Sequence, residues 1–198
     1  MIKKNINIFF LIILFNLISF STNALEPNIF VQSTVNRASQ ILGDNISKDE
    51  KIEKLKLVAK DTVDIRGIGI YTLGKYRKII TEVQKDKYNQ LFERYFLKSF
   101  SSRLAEYSNP KIEVKSQEIV NKNYTIVSSI LVATDERPEV KIDWRIYTKN
   151  PEKPLIRDLI IEGLSLARTQ KEEFNSIIKS NNEDINALFV SLEKFIAN

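Results

Sequence analysis

The spacing of apolar residues changes along this chain near Pro110, and this change constrains the fold more than any other feature of the sequence. From about Thr81 to Tyr107, large apolar side chains recur at helical spacing, and Asn109-Pro110 ends the run. After Lys111 the apolar residues alternate with polar ones, as along a strand with one solvated face. A helical part, a stranded part and a second helical part therefore predict an α+β domain.

Short turns separate the predicted strands, so we expect an antiparallel meander of four strands. The second strand, Tyr124 to Ala133, is apolar in both alternating sets of residues, which predicts cover on both faces of the sheet. The fourth strand is long and runs from Leu155 to Leu166. The first strand begins with Ile112 and Val114, and the third carries Val140, Ile142, Trp144 and Ile146.

Helix-start signals divide the first part of the chain into several helices. Pro27 suits a first helical turn, and Ser47 followed by Glu50 is a capping-box pattern. A third helix is predicted from about Asp64 to Arg77, weakened by two glycines. Two helices close the chain, near Gln170 to Lys179 and from Glu183 onward, with inward side chains predicted at Ile185, Leu188, Phe189, Leu192 and Phe195.

The beginning of the chain has the pattern of a cleaved secretory signal peptide. Lys3 and Lys4 precede an apolar run, Ile8 to Phe15, and Thr22-Asn23-Ala24 offers small residues where a signal peptidase reads them. An uncleaved membrane anchor is the alternative, but it needs about 18 or more apolar residues. We expect cleavage after Ala24 and a single exported domain over 25–198, with helices in 25–108, a sheet in 111–167 and helices in 169–197.

The residue types that are absent exclude most catalytic chemistries. The chain has no cysteine and no histidine, which excludes disulfides, thiolate metal sites and histidine-dependent triads. Ser165 therefore has no histidine to activate it, and Asp158 and Glu162 are expected about 13 Å apart along one strand, too far for paired carboxylate catalysis. We expect no catalytic residues, no metal and no cofactor, and a structural role for both carboxylates.

The net charge does not indicate a nucleic-acid-binding protein. It falls from +5 to +3 once Lys3 and Lys4 are removed with the leader, and a nucleic-acid-binding domain is usually far more basic. A mildly basic chain is favoured at anionic surfaces by general electrostatic attraction.

Two stretches of the mature chain carry a family pattern. The first is Val63-Asp64-Ile65 followed by Leu73-Gly74-Lys75-Tyr76, and the second is the run Asp158 to Leu166, with Lys171 and Phe174 after it. Both resemble the MlaC family, the periplasmic phospholipid-binding auxiliary component of the Mla lipid transport system, also called the toluene-tolerance family. Val63, Arg77 and Pro154 stand where the family usually has aromatic residues, which indicates a divergent member.

The resemblance implies an NTF2-like fold that encloses an apolar pocket for phospholipid acyl chains. It also implies a periplasmic carrier that serves outer-membrane lipid asymmetry. Such a carrier moves lipid between an outer-membrane lipoprotein complex and an inner-membrane ABC transporter with an MCE-domain subunit. Because a carrier must also release its lipid, we hypothesise a hinge near Gly67, Gly69 and Gly74.

The predicted lipid-binding residues form a helical wall and a sheet floor. The wall consists of Leu73, Tyr76, Phe92, Phe96 and Phe100, and the floor of Ile130, Val132, Ile142, Trp144 and Ile161. The same side chains also fit an ordinary packed core, since protein interiors are normally close-packed. A periplasmic protein-interaction module without lipid is therefore the alternative, and a carboxylate hydrolase is the least favoured reading.

Overall fold

The computed structural model describes residues 24–135 and 137–198. The predicted leader, residues 1–24, falls almost wholly outside this part of the chain, and its cleavage and the single mature domain stay predictions. Within the described residues no helix combines the length and the apolar character needed to cross a membrane.

Helices form both ends of the described chain and strands form its middle. The elements are α1 Pro27–Gly43, α2 Lys48–Thr62, α3 Ile65–Thr72, a 3-10 helix Gly74–Lys78, α4 Glu82–Leu104, β1 Ile112–Asn121, β2 Tyr124–Leu131, β3 Val140–Tyr147, β4 Leu155–Ile161, β5 Leu164–Ser165, α5 Leu166–Ser180 and α6 Ile185–Ala197. This order confirms the predicted α+β class.

Local capping determines where the helices begin. Ser47 and Glu50 form the predicted capping box at the start of α2, in which each side chain bonds to the backbone N–H of the other residue. Thr81 and Gln84 form a second box, which starts the long helix α4. Both boxes satisfy backbone donors that the first turn of a helix leaves free.

The prediction of one helix from Asp64 to Arg77 is wrong. Gly74 has φ +57°, a left-handed conformation that favours glycine. The α-helix therefore ends at Thr72, and residues 74–78 continue as a 3-10 helix. Leu73 and Tyr76 were both predicted on this helix, but Leu73 lies just after its last residue and Tyr76 lies on the 3-10 helix.

The sheet has five strands in the order β1-β2-β3-β4-β5, and every neighbouring pair is antiparallel. The prediction of four strands is therefore wrong, because the run Leu155 to Leu166 folds back on itself. Glu162 (φ 49°) and Gly163 (φ 82°) form a two-residue turn with positive φ at both positions, and Ile161 pairs with Leu164 across it. Leu166 already belongs to α5.

The two faces of the sheet differ in burial, so the predicted cover on both faces of β2 is also wrong. Along β2, buried residues alternate strictly with half-buried ones. The inner face carries Val127, Ile142 and Trp144, which are buried together with Ile146 in the main core. Helices α1, α3 and α5 pack on the sheet, and α4 packs against α2, α3 and α6.

The end of α6 departs from its predicted packing. Ile185, Leu188, Phe189 and Leu192 are buried as predicted. Phe195 is 41% exposed, so its predicted inward position is wrong. Its ring still contacts Tyr95, with 4.8 Å between the ring centroids. Tyr107, expected to continue the apolar face of α4, lies beyond the helix and is exposed.

Candidate functional site

A row of aromatic side chains runs along α4. Tyr88, Phe92, Phe96 and Phe100 follow one another at intervals of one helical turn. The ring centroids are separated by 5.7 Å, 6.2 Å and 5.6 Å along the row. Phe174 of α5 contacts Phe92 edge to face at 6.2 Å. This contact joins α4 to α5.

Burial decreases along this aromatic row. Tyr88 and Phe92 are 0% and 2% exposed, whereas Phe96 and Phe100 are half-buried and pack against the edge of the core. The row therefore has a closed end near Tyr88 and an open end near Phe100. Among the predicted wall residues, Leu73 and Tyr76 are buried in the same core as the closed end.

Specific contacts fix the closed end. The Tyr88 hydroxyl and Thr72 Oγ1 lie 2.7 Å apart, and Thr72 Oγ1 also donates to the Gly69 carbonyl. Burial raises the pKa of Tyr88, although its hydrogen bond with Thr72 acts in the opposite direction. A Cβ atom at Gly69 would lie 2.8 Å from the Phe92 ring. Gly69 therefore allows α3 to pack closely on α4.

The structure divides the predicted floor between the two faces of the sheet. Ile142 and Trp144 are buried on the inner face, where Trp144 Nε1 donates to Ser129 Oγ at 2.8 Å. Ile161 is half-buried and pairs with Ile142. Ile130 instead pairs with Lys141, which places it on the outer face, because side chains alternate along a strand.

Val132 lies just beyond the end of β2, and the same alternation places it on the side of Ile130. Eight of the ten predicted residues thus lie at the junction of α3 with the 3-10 helix, on the 3-10 helix, on α4 or on the inner face, and Ile130 and Val132 do not join them. Whether any of the ten contacts a lipid stays a prediction.

The predicted floor leaves out several residues of the inner face. Leu131 is buried, and Val140 and Leu159 are half-buried against the core on the same face as Trp144. Ile130 and Leu131 are adjacent and equally apolar, so their hydropathy alone could not assign a face. The Lys141 that pairs with Ile130 was the available signal, because its charge favours the solvated face.

The buried carboxylate of Asp158 has a structural role, as predicted. It accepts hydrogen bonds from Ser165 Oγ at 2.6 Å and from the Ala167 backbone N–H at 3.0 Å. Ser165 Oγ in turn accepts from the Arg168 N–H, which caps α5. Glu162 accepts from the Lys141 N–H on the neighbouring strand. The family-like run therefore ties β4, β5 and α5 together.

A second polar cluster fastens the start of α3 to β4. Arg157 Nε donates to Asp64 at 2.6 Å, and Arg157 Nη1 donates to the Tyr124 hydroxyl at 2.7 Å. The Arg157 guanidinium carbon lies 3.6 Å from the centre of the Tyr147 ring. Asp64 also accepts from the Gly67 N–H, and a Cβ at Gly67 would clash with that carboxylate. Gly67 therefore has a packing role, which is separate from the hypothesised hinge.

Comparison with known proteins places the chain in a family. The phospholipid-binding protein from Ralstonia solanacearum, solved in complex with a phospholipid, has the same fold, with a TM-score of 0.73. The two sequences are 20% identical, and the match covers 87% of this chain and 98% of that one. The sequence profile described as "MlaC protein" matches residues 32–194, which confirms the predicted resemblance. The chain belongs to the MlaC family.

Proposed function

We propose that this protein is a periplasmic phospholipid carrier that binds acyl chains between α4 and the inner face of the sheet. It carries lipid between an outer-membrane lipoprotein complex and an inner-membrane ABC transporter with an MCE-domain subunit. The phospholipid is cargo, and the protein has no catalytic role. Membership of the MlaC family and the phospholipid complex of the Ralstonia solanacearum protein support this proposal. An NTF2-like fold around the acyl chains is part of the same proposal.

The single observation that carries the proposal is the decrease in burial along the aromatic row. From Tyr88 to Phe100 the helix rises by about 18 Å, at 1.5 Å per residue. One leaflet of a bilayer has a hydrocarbon thickness of about 15 Å, half of the roughly 30 Å core. The length of the row is thus similar to that of one acyl chain, and its half-buried end is where we expect the chain to enter.

Burial of the acyl chain supplies the affinity. Each CH₂ group removed from water contributes roughly 0.8 kcal/mol. Two long chains then contribute on the order of 20 kcal/mol before the opposing entropy terms, by the same coefficient. A carrier that leaves much of this length in water would lose its lipid, so the acyl chains must be enclosed. The side chains at the open end of the row therefore have to move when lipid enters.

The alternative is a protein-interaction module with a filled core. The complete burial of Leu73, Tyr76 and Phe92, at 1%, 1% and 2% exposure, favours it at the closed end, where protein atoms already surround these side chains. The half-buried Phe96 and Phe100 favour the carrier at the other end, and Val140 and Leu159 on the inner face are half-buried as well.

Lipid analysis separates the two functions. The protein is purified after expression of the full chain, extracted with organic solvent and analysed by mass spectrometry. We expect phospholipid in stoichiometric amount, and transfer of fluorescent phospholipid from liposomes to the delipidated protein. Absence of bound lipid together with absence of transfer would reject the carrier and leave the interaction module.

A further inference from the structure

A recess of about 810 Å³ lies between α5 and the 3-10 helix. Lys171, Asn175 and Lys179 line it from α5 and are spaced by four residues, so they share one side of that helix. Lys75 of the 3-10 helix faces them, and Glu172 also lines the recess. Its lining is thus mainly basic and polar, unlike the aromatic row of α4.

Gly74 allows this recess to form. Its Cβ atom, if present, would lie 3.0 Å from Asn175 Nδ2 and 3.2 Å from Lys171 Cε. The absence of a side chain therefore lets the 3-10 helix approach α5 and brings Lys75 near Lys171. Asn175 Nδ2 also donates to the Lys171 carbonyl at 2.6 Å, which holds the amide at the recess.

A carboxylate of the protein already binds one of the lysines. Lys75 Nζ contacts the two Glu183 carboxylate oxygens at 2.8 Å and 3.0 Å. The hydrogen bond with Glu183 raises the pKa of Lys75, and Lys75 lowers the pKa of Glu183. Both side chains are more than half exposed, so another anion can compete with Glu183 for the ammonium group.

The hydroxyl of Tyr76 is close to this ion pair. Tyr76 is 1% exposed, and its hydroxyl has no hydrogen-bond partner within normal distance among the described residues. It is near enough to Lys75 to contribute to the raised pKa of that group. The Tyr76 hydroxyl also lowers the pKa of Glu183, so it lies beside the ion pair on the protein side, and Tyr76 is not among the residues that line the recess.

We propose that this recess binds a phosphate group through Lys75, Lys171, Lys179 and the Asn175 amide. Three ammonium groups and an amide supply the donors that phosphate oxygens accept. The phosphate displaces Glu183 from Lys75. The site lies outside the aromatic row, so the proposal does not depend on lipid cargo.

Two sources of this group are possible, a soluble phosphate ester and the headgroup of a lipid at a membrane surface. Ile79, at the end of the 3-10 helix, is 71% exposed and follows the exposed Arg77 and Lys78. An apolar side chain beside basic ones is typical of a segment that contacts a lipid surface. Ile79 therefore offers a variant that separates the two sources.

The first experiment titrates ¹⁵N-labelled protein, purified after expression of the full chain, with inorganic phosphate and with chloride at equal ionic strength. We expect phosphate alone to cause saturable shifts at the amides of Lys75 and of the α5 residues that line the recess. The double variant Lys75→Ala/Lys171→Ala should bind at least about tenfold more weakly, as expected for loss of charged hydrogen bonds. Glu183→Gln should bind more tightly.

Two controls keep this result specific. Lys122→Ala removes an exposed lysine in the β1–β2 turn and should leave phosphate binding unchanged. Lys75→Arg/Lys171→Arg retains the charges and should retain binding, which separates loss of the site from loss of the fold. Equal shifts with chloride, or equal weakening by Lys122→Ala, would overturn the proposal.

Cosedimentation with phosphatidylglycerol vesicles and a titration with glycerol phosphate identify the source. A lipid source predicts vesicle binding that falls in Ile79→Ser and in the double lysine variant, while Ile79→Ser still binds inorganic phosphate. A soluble source predicts saturation by glycerol phosphate without vesicle binding. If none of the phosphate probes binds, phosphate binding at the recess is rejected. The lipid content of the same preparations tests the carrier function separately.

Discussion

Arg157 Nε lies 2.6 Å from the Asp64 carboxylate, and this ion pair joins the start of α3 to β4. The backbone repeats the connection, since the Asp64 N–H donates to the Ile156 carbonyl at 2.9 Å. The beginning of α3 is therefore anchored, while Gly74 lies at its other end. Any movement of α3 that admits lipid would pivot about this anchor, which relates the hinge hypothesis to a specific part of the fold.

Arg157→Ala should lower the free energy of unfolding by about 1–3 kcal/mol, because the partly buried Asp64 loses its ion pair and the Tyr124 hydroxyl loses its hydrogen bond. Urea denaturation followed by circular dichroism measures the change. Arg37→Ala is the matched control, since its ion pair with Asp61 is exposed and should contribute about 0–1 kcal/mol. Equal losses in the two variants would contradict the anchoring role.

Gly69→Ala should destabilise the protein by about 1–3 kcal/mol, because the new methyl group overlaps the Phe92 ring in a packed core. Gly43→Ala provides the control, since a Cβ there has its nearest neighbour at 3.7 Å. Thermal unfolding of the two variants gives the comparison. A Gly69 variant as stable as the control would mean that α3 and α4 can separate without penalty.

Ile142→Ala should cost about 2–5 kcal/mol, as for other large-to-small changes in a core. Ile130→Ala should cost less than half as much, because Ile130 lies on the outer face and is only half-buried. Chemical denaturation of both variants tests the assignment of the two faces. Similar losses would show that the outer face is also covered.

Phe96→Asp should abolish phospholipid loading, because a carboxylate at the open end of the aromatic row would be desolvated by an acyl chain. Ile119→Asp replaces an apolar residue that is already 76% exposed on β1 and should load normally. Lipid is quantified by mass spectrometry after extraction of equal amounts of folded protein. Retained loading in Phe96→Asp would remove this residue from the binding site.

Glu113 should titrate at about pH 2, because hydrogen bonds from Lys111 and Lys115 lower its pKa from the ordinary value of 4.5. A lowered carboxyl pKa stabilises the folded state above the unfolded value, and this contribution is lost as the pH falls through about 2. Carboxyl NMR titration measures the pKa directly. Lys111→Ala/Lys115→Ala should return it toward 4.5, and an ordinary value in the unmodified protein would contradict the arrangement.

Patterns within a few residues of one another predicted much of the helical structure. The capping box at Ser47 and the apolar face of α4 were readable because a helix closes its hydrogen bonds within four residues. The run from Asp158 to Leu166 indicated the family, and the structure gives its reason, since Asp158 and Ser165 fasten β4 to α5. The family and the α+β class thus followed from the sequence.

Other features depended on contacts between distant parts of the chain. Ile130 and Leu131 are equally apolar, and only the pairing of β2 with β3 places the first outside and the second inside. The turn at Glu162 and Gly163 lies in an apolar run that reads as one strand, and its left-handed backbone became evident only in the fold. The sequence by itself therefore determined most of the helices and the family, whereas the tertiary structure decided the end of α3, the strand count and the two ends of the aromatic row. The physical reason is that burial depends on which surfaces meet, and a linear pattern does not contain that information.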